Sequence, residues 1–318
     1  MNILCATDIN FAPYCGIMLT SLLENNCREA TNDVNVYVLV DKSFTPTEKN
    51  KYKKLCTRYG AQLYLITVDN QLLPPLPIYD IHQHPITIPT YYRLLANRLL
   101  PSDVHKIIYL DCDIIVARSL LPLWNINLDG KPLACVRDCV LNYDNRHYTQ
   151  LGYNPDDGYF NAGVLVINLD YWRQNNIEAR LTDYAQQHYD SLIFMDQDLL
   201  NGTLHGEVLW LQERYNFQPR FLFNKIWNLY STDYHNTLVH EYQNAVIVHY
   251  IGKDKPWHFS YRGLPFDTLW DYYRTKSLWR SCRIYKPLRL YLRQTLKRLL
   301  FPARVQRRHK QFWHDIEP

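Results

Sequence analysis

Short apolar runs alternate with amphipathic stretches along the first part of the chain, and this order predicts an α/β fold. Asn2 to Ala6 is an apolar run of strand length, and Tyr14 to Leu23 repeats its apolar residues at helical spacing. Val34 to Val40 and Gln62 to Val68 predict two further strands, separated by a lysine-rich amphipathic helix from Thr47 to Tyr59. Strands and helices in alternation indicate a parallel, doubly wound, Rossmann-like sheet.

The buried strand expected near residue 110 carries two carboxylates. The run from Ile107 to Val116 is apolar and rich in β-branched residues, but Asp111 and Asp113 interrupt it. Because side chains alternate along a strand, both carboxylates are expected on one side and Cys112 on the other. Two carboxylates near a core need a cation or hydrogen-bond donors. Two interpretations follow: Asp111 caps a turn while Asp113 pairs with an arginine, or the pair binds a divalent metal ion.

The rest of the chain predicts further elements around polar clusters. The long connection from Asp69 to Pro89 contains His82 and His84 and is interpreted as a binding loop or as a tolerated surface insertion. A helix is predicted from Thr90 to Leu100. Later strands are predicted at Pro132 to Val136, Val164 to Leu169, Val208 to Leu211 and Ala245 to Val248, and later helices begin at Trp172 and Leu199. Ligands of such sheets bind beyond the carboxyl ends of strands, where Asp8, Asn10 and the aspartate pair fall.

Length and composition limit the class of protein. The 318 residues suffice for one large α/β domain with an appendage, or for two medium domains. The eight cysteines show no zinc-finger spacing, so we expect buried free thiols in a reducing compartment. The N-terminus lacks the pattern of a secretory signal, and no run of apolar residues is long enough for a spanning helix. A cytoplasmic location is expected.

The net charge of +4 is unevenly distributed. Lys276 to Lys310 contains twelve lysines or arginines and no acidic residue, so the rest of the chain is net acidic. Apolar residues recur at helical spacing from Lys276 to Phe301, with cations mostly opposite, which predicts a basic amphipathic helix that Pro287 kinks or restarts. The helix either docks on the main domain or anchors on anionic lipid, and flanking tryptophans favour the anchor. We expect a membrane contact through residues 276–310 and no nucleic-acid partner.

Six short motifs carry a resemblance to a known family. They are Ala6-Thr7-Asp8-Ile9-Asn10, Thr90-Tyr91-Tyr92-Arg93-Leu94, Tyr109-Leu110-Asp111-Cys112-Asp113, Phe160-Asn161-Ala162-Gly163-Val164, Asp196-Gln197-Asp198-Leu199-Leu200-Asn201, and His249-Tyr250 with Lys255-Pro256-Trp257. Together they resemble, in order, the motifs of glycosyltransferase family eight, whose retaining enzymes include bacterial lipooligosaccharide and lipopolysaccharide-core transferases and glycogenin. The resemblance covers roughly residues 1 to 260. It implies a GT-A-like fold with a C-terminal basic aromatic helical extension.

The resemblance also implies roles for single residues. Asp8 and Asn10 would hold the uridine of a UDP-sugar, and Gln197 would lie on the face of the anomeric carbon opposite the leaving group. Arg93, Asp138, Asn161 and Asp196 would bind hydroxyl groups of the donor sugar. The donor-binding residues expected are Ala6, Asp8, Asn10, Arg93, Asp111, Cys112, Asp113, Asn161, Ala162, Gly252 and Lys255. Those expected in catalysis are Asp138, Asp196, Gln197 and Lys255.

The chemistry of a nucleotide-sugar donor agrees with these roles. A departing diphosphate needs its negative charge neutralised, which a divalent ion does as a Lewis acid. Asp111 and Asp113 supply oxygen ligands and His249 a nitrogen, a set that suits Mn²⁺, with Mg²⁺ second. Lys255 is close enough in sequence to reach the same phosphates, and Gly252 permits close approach of the backbone.

The sequence therefore predicts a retaining hexosyltransferase. It moves galactose or glucose from a UDP-sugar to a lipid-linked oligosaccharide, lipopolysaccharide or lipooligosaccharide core, at the inner face of the cytoplasmic membrane. Because Gln197 is an amide and a poor nucleophile, front-side attack is favoured, with Asp198 or Asp138 as alternative nucleophiles. Residues 1–262 are expected to form the catalytic domain and residues 263–318 the membrane-associating tail.

Two other functions compete with this prediction. A non-catalytic, membrane-bound sugar- or nucleotide-binding protein would have the same fold, but the intact Asp111, Asp113, His249 and Lys255 argue against it. A nucleotidyltransferase also uses paired aspartates and a metal ion. It normally needs a phosphate-binding glycine loop or further carboxylates, which the sequence does not show.

Overall fold

The computed structural model describes residues 1–27, 33–78, 80–81, 84–85, 87–253, 255–258, 261 and 263–282. The strands are β1 (Asn2–Thr7), β2 (Asn35–Val40), β3 (Gln62–Thr67), β4 (Asp80–Ile81), β5 (His84–Pro85), β6 (Lys106–Leu110), β7 (Ile114–Val116), β8 (Leu133–Arg137), β9 (Phe160–Asn168), β10 (Leu209–Trp210) and β11 (Ile247–His249). The helices are α1 (Ala12–Asn26), α2 (Pro46–Tyr59), α3 (Ala96–Leu99), α4 (Leu121–Trp124), α5 (Asn145–Leu151), α6 (Leu169–Gln174), α7 (Ile177–Gln187), α8 (Asp196–Leu204), α9 (Asn224–Trp227), α10 (Thr232–Gln243) and α11 (Asp267–Lys276). Short 3-10 helices include Ile88–Leu95, Glu213–Asn216 and Pro219–Leu222.

The main sheet confirms the prediction of a mostly parallel α/β fold. Its seven strands lie in the order β10-β8-β9-β6-β1-β2-β3. Neighbouring strands are parallel except where β9 pairs antiparallel with β6 and β8. Hydrophobic cores cover both faces, which explains why the central strands are apolar without alternation. β1, β6 and β8 therefore end at one edge of the sheet, and β9 begins there.

The apolar run around residue 110 is divided between two sheets, which corrects the prediction of one continuous strand. β6 ends before Asp111, residues 111–113 form a turn, and β7 pairs antiparallel with β11 in a separate two-stranded sheet. The turn is held at both ends, because Asp111 N–H donates to Gly163 O and Tyr250 N–H donates to Asp113 O. A turn, and not strand alternation, therefore brings the two carboxylates together.

The helix predicted from Thr90 to Leu100 has a different form. The 3-10 helix Ile88–Leu95 is followed by the short α3. The Arg93 Nε–H donates to Thr90 O, the carbonyl that an α-helix would offer to the N–H of Leu94. The side chain of Arg93 thus replaces a helical backbone bond, and the periodicity of the sequence could not reveal this.

Residues 263–282 pack against the main body. α11 lies on α1, and Trp270, Tyr273 and Trp279 are buried in the same hydrophobic core as β1 and α1. The ring of Trp279 fills the space beside Gly16, where an added Cβ would lie 2.3 Å from a ring carbon. The core therefore continues across the boundary that the sequence predicted between residues 262 and 263.

The basic helix predicted from Lys276 to Phe301 is described only in its first residues. α11 ends at Lys276, because Ser277 is extended and its hydroxyl accepts a hydrogen bond from the Trp279 N–H. Residues 283–318 lie outside the described residues, so most of the expected membrane contact at residues 276–310 stays a prediction. Among the helices described, none has both the length and the apolar composition needed to cross a bilayer. All eight cysteines are free, as expected.

Candidate functional site

The edge where β1, β6 and β8 end opens into a cavity of about 710 Å³. A smaller lobe of about 210 Å³ shares several of its walls. Asp8, Asp111 and Asp138 each follow one of the three parallel strands and line the cavity. Asn161 lies at the start of the antiparallel strand β9 and lines the same cavity as the three aspartates. The topology therefore gathers polar residues that are far apart in sequence.

Asp111 and Asp113 each have one oxygen held by the protein and one directed at His249. Asp111 Oδ1 accepts hydrogen bonds from Arg93 Nη2 at 2.8 Å and Tyr109 Oη at 2.9 Å. Asp111 Oδ2 lies 3.8 Å from His249 Nε2, and Asp113 Oδ1 lies 3.2 Å from the same atom. Ligand atoms of these three residues lie within 4.8 Å of one another. This group has the oxygen and nitrogen donors that suit a divalent ion.

A hydrogen bond at Nδ1 orients His249. Gly163 N–H donates to Asn161 Oδ1, which also accepts from Asn216 Nδ2 at 3.0 Å, so Asn216 presents its Oδ1 to His249. The 3.0 Å contact of His249 Nδ1 with this oxygen requires a proton on Nδ1. Nε2 is therefore the ring nitrogen that faces Asp111 and Asp113 and could bind a metal ion. A second residue that fixes the ring of a histidine ligand in this way is usual at metal sites.

Gly163 leaves the space that this arrangement needs. A Cβ at this position would lie 2.2 Å from His249 Cε1 and 2.8 Å from Asp111 Oδ2. Nearby, the pairing of β8 and β9 shifts register between Cys135 and Val136, so residues 162–164 of β9 are unpaired with β8. The freed backbone of Ala162 is used by the site, as its carbonyl accepts from Arg93 and its N–H donates to Gln197.

Lys255 lies on the other side of Asp113. Its ammonium group donates to Asp113 Oδ2 and, at 2.8 Å, to Tyr250 O. Burial alone would raise the pKa of Asp113, but Lys255 and His249 together hold that pKa below its ordinary range. Gly252, with φ +77°, forms the turn between His249 and Lys255 and lines both lobes of the cavity.

Arg93 connects the aspartate pair to the smaller lobe. Its guanidinium group contacts Asp111, Asp196 and the carbonyl of Ala162, and it lies 4.2 Å from the centre of the Tyr109 ring. Burial alone would lower the pKa of Arg93, but the two carboxylates raise that pKa above its ordinary value. Arg93 is therefore a fixed cation that orients Asp111.

Asp138 is surrounded by donors. Its Oδ1 accepts from the N–H groups of Val140 and Leu141, both at 2.9 Å. Its Oδ2 accepts from Asn161 Nδ2 at 3.0 Å and from Gln197 Nε2 at 3.4 Å. The carboxylate is buried, so these four donors stabilise its charge.

Gln197 stands on α8 with both ends of its amide engaged. Its Oε1 accepts from Ala162 N–H at 3.0 Å, and its Nε2 approaches Asp138 and the hydroxyl of Tyr159. Because a backbone N–H needs an acceptor, the orientation of the amide is unambiguous. The amide oxygen is therefore occupied by the protein.

The residues on either side of Gln197 are buried carboxylates with different environments. Asp196 contacts Arg93 Nε at 3.0 Å and the Thr90 hydroxyl at 2.7 Å, yet burial raises its pKa to about 6. Asp198 lies behind the cavity and accepts from the Tyr159 hydroxyl, from His147 and from a backbone N–H. Before them, Met195 adopts φ +51°, a strained conformation for a residue other than glycine.

The uridine is expected beside Asp8. Asp8 Oδ1 accepts from the N–H groups of Asn10 and Phe11 at 2.9 Å, which leaves Oδ2 without a partner among the described residues. Ala6, Cys112, Phe11 and Trp257 line the same part of the cavity. Asn10 is exposed and is absent from the lining residues, so the structure separates it from the other candidates.

Sequence reasoning missed three residues of the site. Asn216 orients His249, Arg220 lines the larger lobe, and Phe11 exposes its ring beside Asp8. Asn216 and Arg220 lie in short irregular segments with no periodic pattern, so no signal marked them. Phe11 directly follows the first motif, and an aromatic residue there could have been noticed.

Comparisons with a family model and with known relatives agree on one family. The sequence model of Glycosyl transferase family 8 matches residues 2–260. The chain is similar to the lipopolysaccharide 1,3-galactosyltransferase of Salmonella typhimurium, with 25% identity over 90% of this chain and 81% of that protein. It is also similar to the lipopolysaccharide glucosyltransferase WaaO of Escherichia coli K12, with 26% identity over 90% of this chain and 81% of that protein.

A solved structure agrees with the sequence comparisons. The galactosyltransferase LgtC, in complex with donor and acceptor sugar analogues, aligns with a TM-score of 0.73 and 26% identity. The alignment covers 89% of this chain and all of LgtC. This similarity confirms the GT-A-like fold expected from the sequence. The chain therefore belongs to glycosyl transferase family 8 and is a glycosyltransferase.

Proposed function

We propose that this protein is a metal-assisted hexosyltransferase that retains the configuration of the transferred sugar. The donor is UDP-galactose or UDP-glucose, and the acceptor is a lipid-linked oligosaccharide of the lipopolysaccharide or lipooligosaccharide core. Relatives named as lipopolysaccharide galactosyl- and glucosyltransferases support this choice of donor and acceptor. The reaction takes place at the inner face of the cytoplasmic membrane.

One observation carries the proposal. Asp111 and Asp113 each direct one carboxylate oxygen at His249 Nε2, so two oxygens and a nitrogen lie close together on the cavity wall. A divalent ion bound among them would neutralise the two carboxylates and take Nε2 of the neutral ring as a ligand. Mn²⁺, or Mg²⁺ in its place, would neutralise the diphosphate of the donor as a Lewis acid when bound there.

Neighbouring residues support the binding of a nucleoside diphosphate. Lys255 is a fixed cation beside Asp113 and stabilises the departing diphosphate without a proton transfer. Asp8 Oδ2 accepts from the imide N–H of uracil, and the exposed ring of Phe11 offers the base an apolar face. Arg93, Asn161 and Asp196 bind sugar hydroxyls in the smaller lobe.

The hydrogen bonds of Asp138, Asp198 and Gln197 favour front-side attack. A carboxylate nucleophile would need a free oxygen at the anomeric carbon. Asp138 accepts four hydrogen bonds, Asp198 lies behind the cavity, and the oxygen of Gln197 is bound to Ala162 N–H. The departing phosphate oxygen therefore takes the proton of the acceptor hydroxyl. Isolation of a glycosyl adduct on Asp138 or Asp198 would contradict this route.

Donor hydrolysis tests the proposed function. Purified protein with Mn²⁺ should release UDP slowly from UDP-galactose or UDP-glucose in the absence of acceptor. EDTA should stop the release and added Mn²⁺ should restore it, since the site needs a divalent ion. If neither donor releases UDP, and UDP with Mn²⁺ does not raise the melting temperature, the proposal is wrong.

Membrane association needs a separate test. A truncation after Cys282 keeps Trp270 and Trp279 in the core, whereas a truncation at residue 263 would remove them. The shorter chain should bind UDP normally but no longer sediment with vesicles that contain phosphatidylglycerol. The full chain with uncharged vesicles is the control, and sedimentation of the truncated chain would show that the basic segment is not the anchor.

A further inference from the structure

Two cations on the cavity wall have no partner among the described residues. Arg220 and Lys253 both line the larger lobe, and Arg220 lies beside Gly252. An added Cβ at Gly252 would lie 3.1 Å from Arg220 Cζ, so the guanidinium group rests directly on this turn. Within the part of the chain that the structure describes, neither side chain makes a hydrogen bond or an ion pair. A half-buried arginine normally pairs with an acid, because its donors need acceptors.

The other charged groups of the cavity have their own partners. Arg93 pairs with Asp111 and Asp196, and Lys255 pairs with Asp113. Asp138 and Asp8 have their charge stabilised by amide and backbone N–H groups. A divalent ion at the aspartate pair would offset the two charges of a diphosphate. None of these contacts uses Arg220 or Lys253, so both cations are left for another anionic group.

The side chain of Gln218 anchors the segment that carries Arg220. Gln218, two residues earlier, accepts from Cys139 N–H at 2.9 Å and donates to Arg137 O at 2.9 Å. This anchors the segment beside Asp138 at the end of β8. Arg220 lines the larger lobe but not the smaller one, where Asp196 lies. Its position therefore suits a ligand other than the donor sugar.

We propose that Arg220, assisted by Lys253, binds an anionic group of the acceptor, so that the enzyme selects an acidic saccharide. A guanidinium group recognises a phosphate or a carboxylate through paired hydrogen bonds. Both oxyanions fit this chemistry. The inference rests on the proposed function, because it assigns the metal ion and Lys255 to the donor.

Binding of acidic sugars to the UDP-loaded protein tests this inference. The protein, saturated with UDP and Mn²⁺, is titrated calorimetrically with glucose 6-phosphate, galactose 6-phosphate and glucuronate, and with glucose as the neutral control. At least one acidic sugar should bind saturably and more tightly than glucose. Arg220→Gln should weaken that binding roughly 10- to 100-fold, the range for a hydrogen bond to a charged group. Arg146→Gln, at an arginine whose side chain is 94% exposed, is the matched control and should change nothing.

The same titrations separate failure of this inference from failure of the proposed function. If UDP with Mn²⁺ does not bind, the proposed function itself is wrong. If UDP binds but no acidic sugar does, or Arg220→Gln leaves that binding unchanged, only the acidic acceptor is wrong. Displacement of UDP by the acidic sugars would assign Arg220 and Lys253 to the donor diphosphate. That result would also overturn the proposal of an acidic acceptor. Tighter binding of a sugar phosphate than of glucuronate would identify the anionic group as a phosphate, and the reverse order would identify it as a carboxylate.

Discussion

Two groups of carboxylates in the cavity have different environments. Asp111 and Asp113, which line both lobes, each have one oxygen held by the protein and one directed at His249. Four donors surround Asp138 in the larger lobe, and Arg93 and Thr90 hold Asp196 in the smaller lobe. The aspartate pair leaves oxygens that a bound cation would complete. Asp138 and Asp196 have their partners within the protein and fix the shape of the cavity.

Removing one charge from the aspartate pair tests this difference most directly. Asp113→Asn should lower the rate of donor hydrolysis by about 1,000-fold, because a divalent ion contributes several kcal/mol of charge stabilisation. Mn²⁺ titration followed by electron paramagnetic resonance should show a parallel loss of metal affinity. The exposed Asp170→Asn is the control. A variant that binds Mn²⁺ like the wild type would remove Asp113 from the metal site.

The same substitution at Asp138 provides the contrast. Asp138→Asn puts an amide where a carboxylate accepts four hydrogen bonds, so it should lower the free energy of unfolding by roughly 1–3 kcal/mol. Its Mn²⁺ affinity should change much less than that of Asp113→Asn. Equal losses of metal affinity would show that Asp138 and the aspartate pair act as one electrostatic unit.

The pH dependence of stability should distinguish Asp196 from Asp113. Burial raises the pKa of Asp196 to about 6, so the folded protein keeps its proton while the unfolded chain loses it. This contribution is complete below about pH 4 and is lost as pH rises to about 6, a change of about 3 kcal/mol. Urea unfolding from pH 4 to 7 should show that loss in the wild type relative to Asp196→Asn. A constant difference between the two proteins would contradict the prediction.

Close packing around His249 can be tested without altering a charge. Gly163→Ala should weaken Mn²⁺ binding about 100-fold, because its Cβ would push against His249 and Asp111, and overpacking costs about 1–3 kcal/mol. Gly202→Ala is a matched control, since its Cβ would lie 2.1 Å from Tyr184 atoms on a different helix. It should destabilise the fold and leave metal affinity intact.

The smallest expected effect concerns the residue behind His249. Asn216→Ala removes the acceptor that holds the proton on Nδ1, and should lower Mn²⁺ affinity by about tenfold or somewhat more. Gln218→Ala cuts another anchor of the same segment without touching His249 and serves as the control. If both variants lose affinity equally, Asn216 acts through the segment and not through the imidazole.

The sequence was sufficient to predict which residues meet at the site when they directly follow parallel strands. Asp8, Asp111 and Asp138 follow apolar strands, and parallel strands end at one edge, so their proximity could be inferred. The break between β6 and β7 could not, because Ile114 to Val116 stay buried in the second sheet and keep the run apolar. Asn216 could not be found either, since its contact with His249 depends on tertiary packing alone.

The aromatic residues near the C-terminus show a second limit. Tryptophans beside a basic segment are typical of an interfacial anchor, yet Trp270 and Trp279 are both buried in the core. Tryptophan suits a protein core as well as a membrane surface, and only its neighbours decide. For Trp279 those neighbours are Gly16 and Glu48, which the local sequence does not indicate.

The contact between Trp279 and Gly16 sets the order in which this protein completes its fold during synthesis. A nascent chain leaves the ribosome from its N-terminus, so α1 emerges long before the side chain that covers it. Until Trp279 follows, the space beside Gly16 lacks the ring that fills it in the folded protein. Native packing at Gly16, on one of the first helices made, therefore waits for almost the last residue that the structure describes.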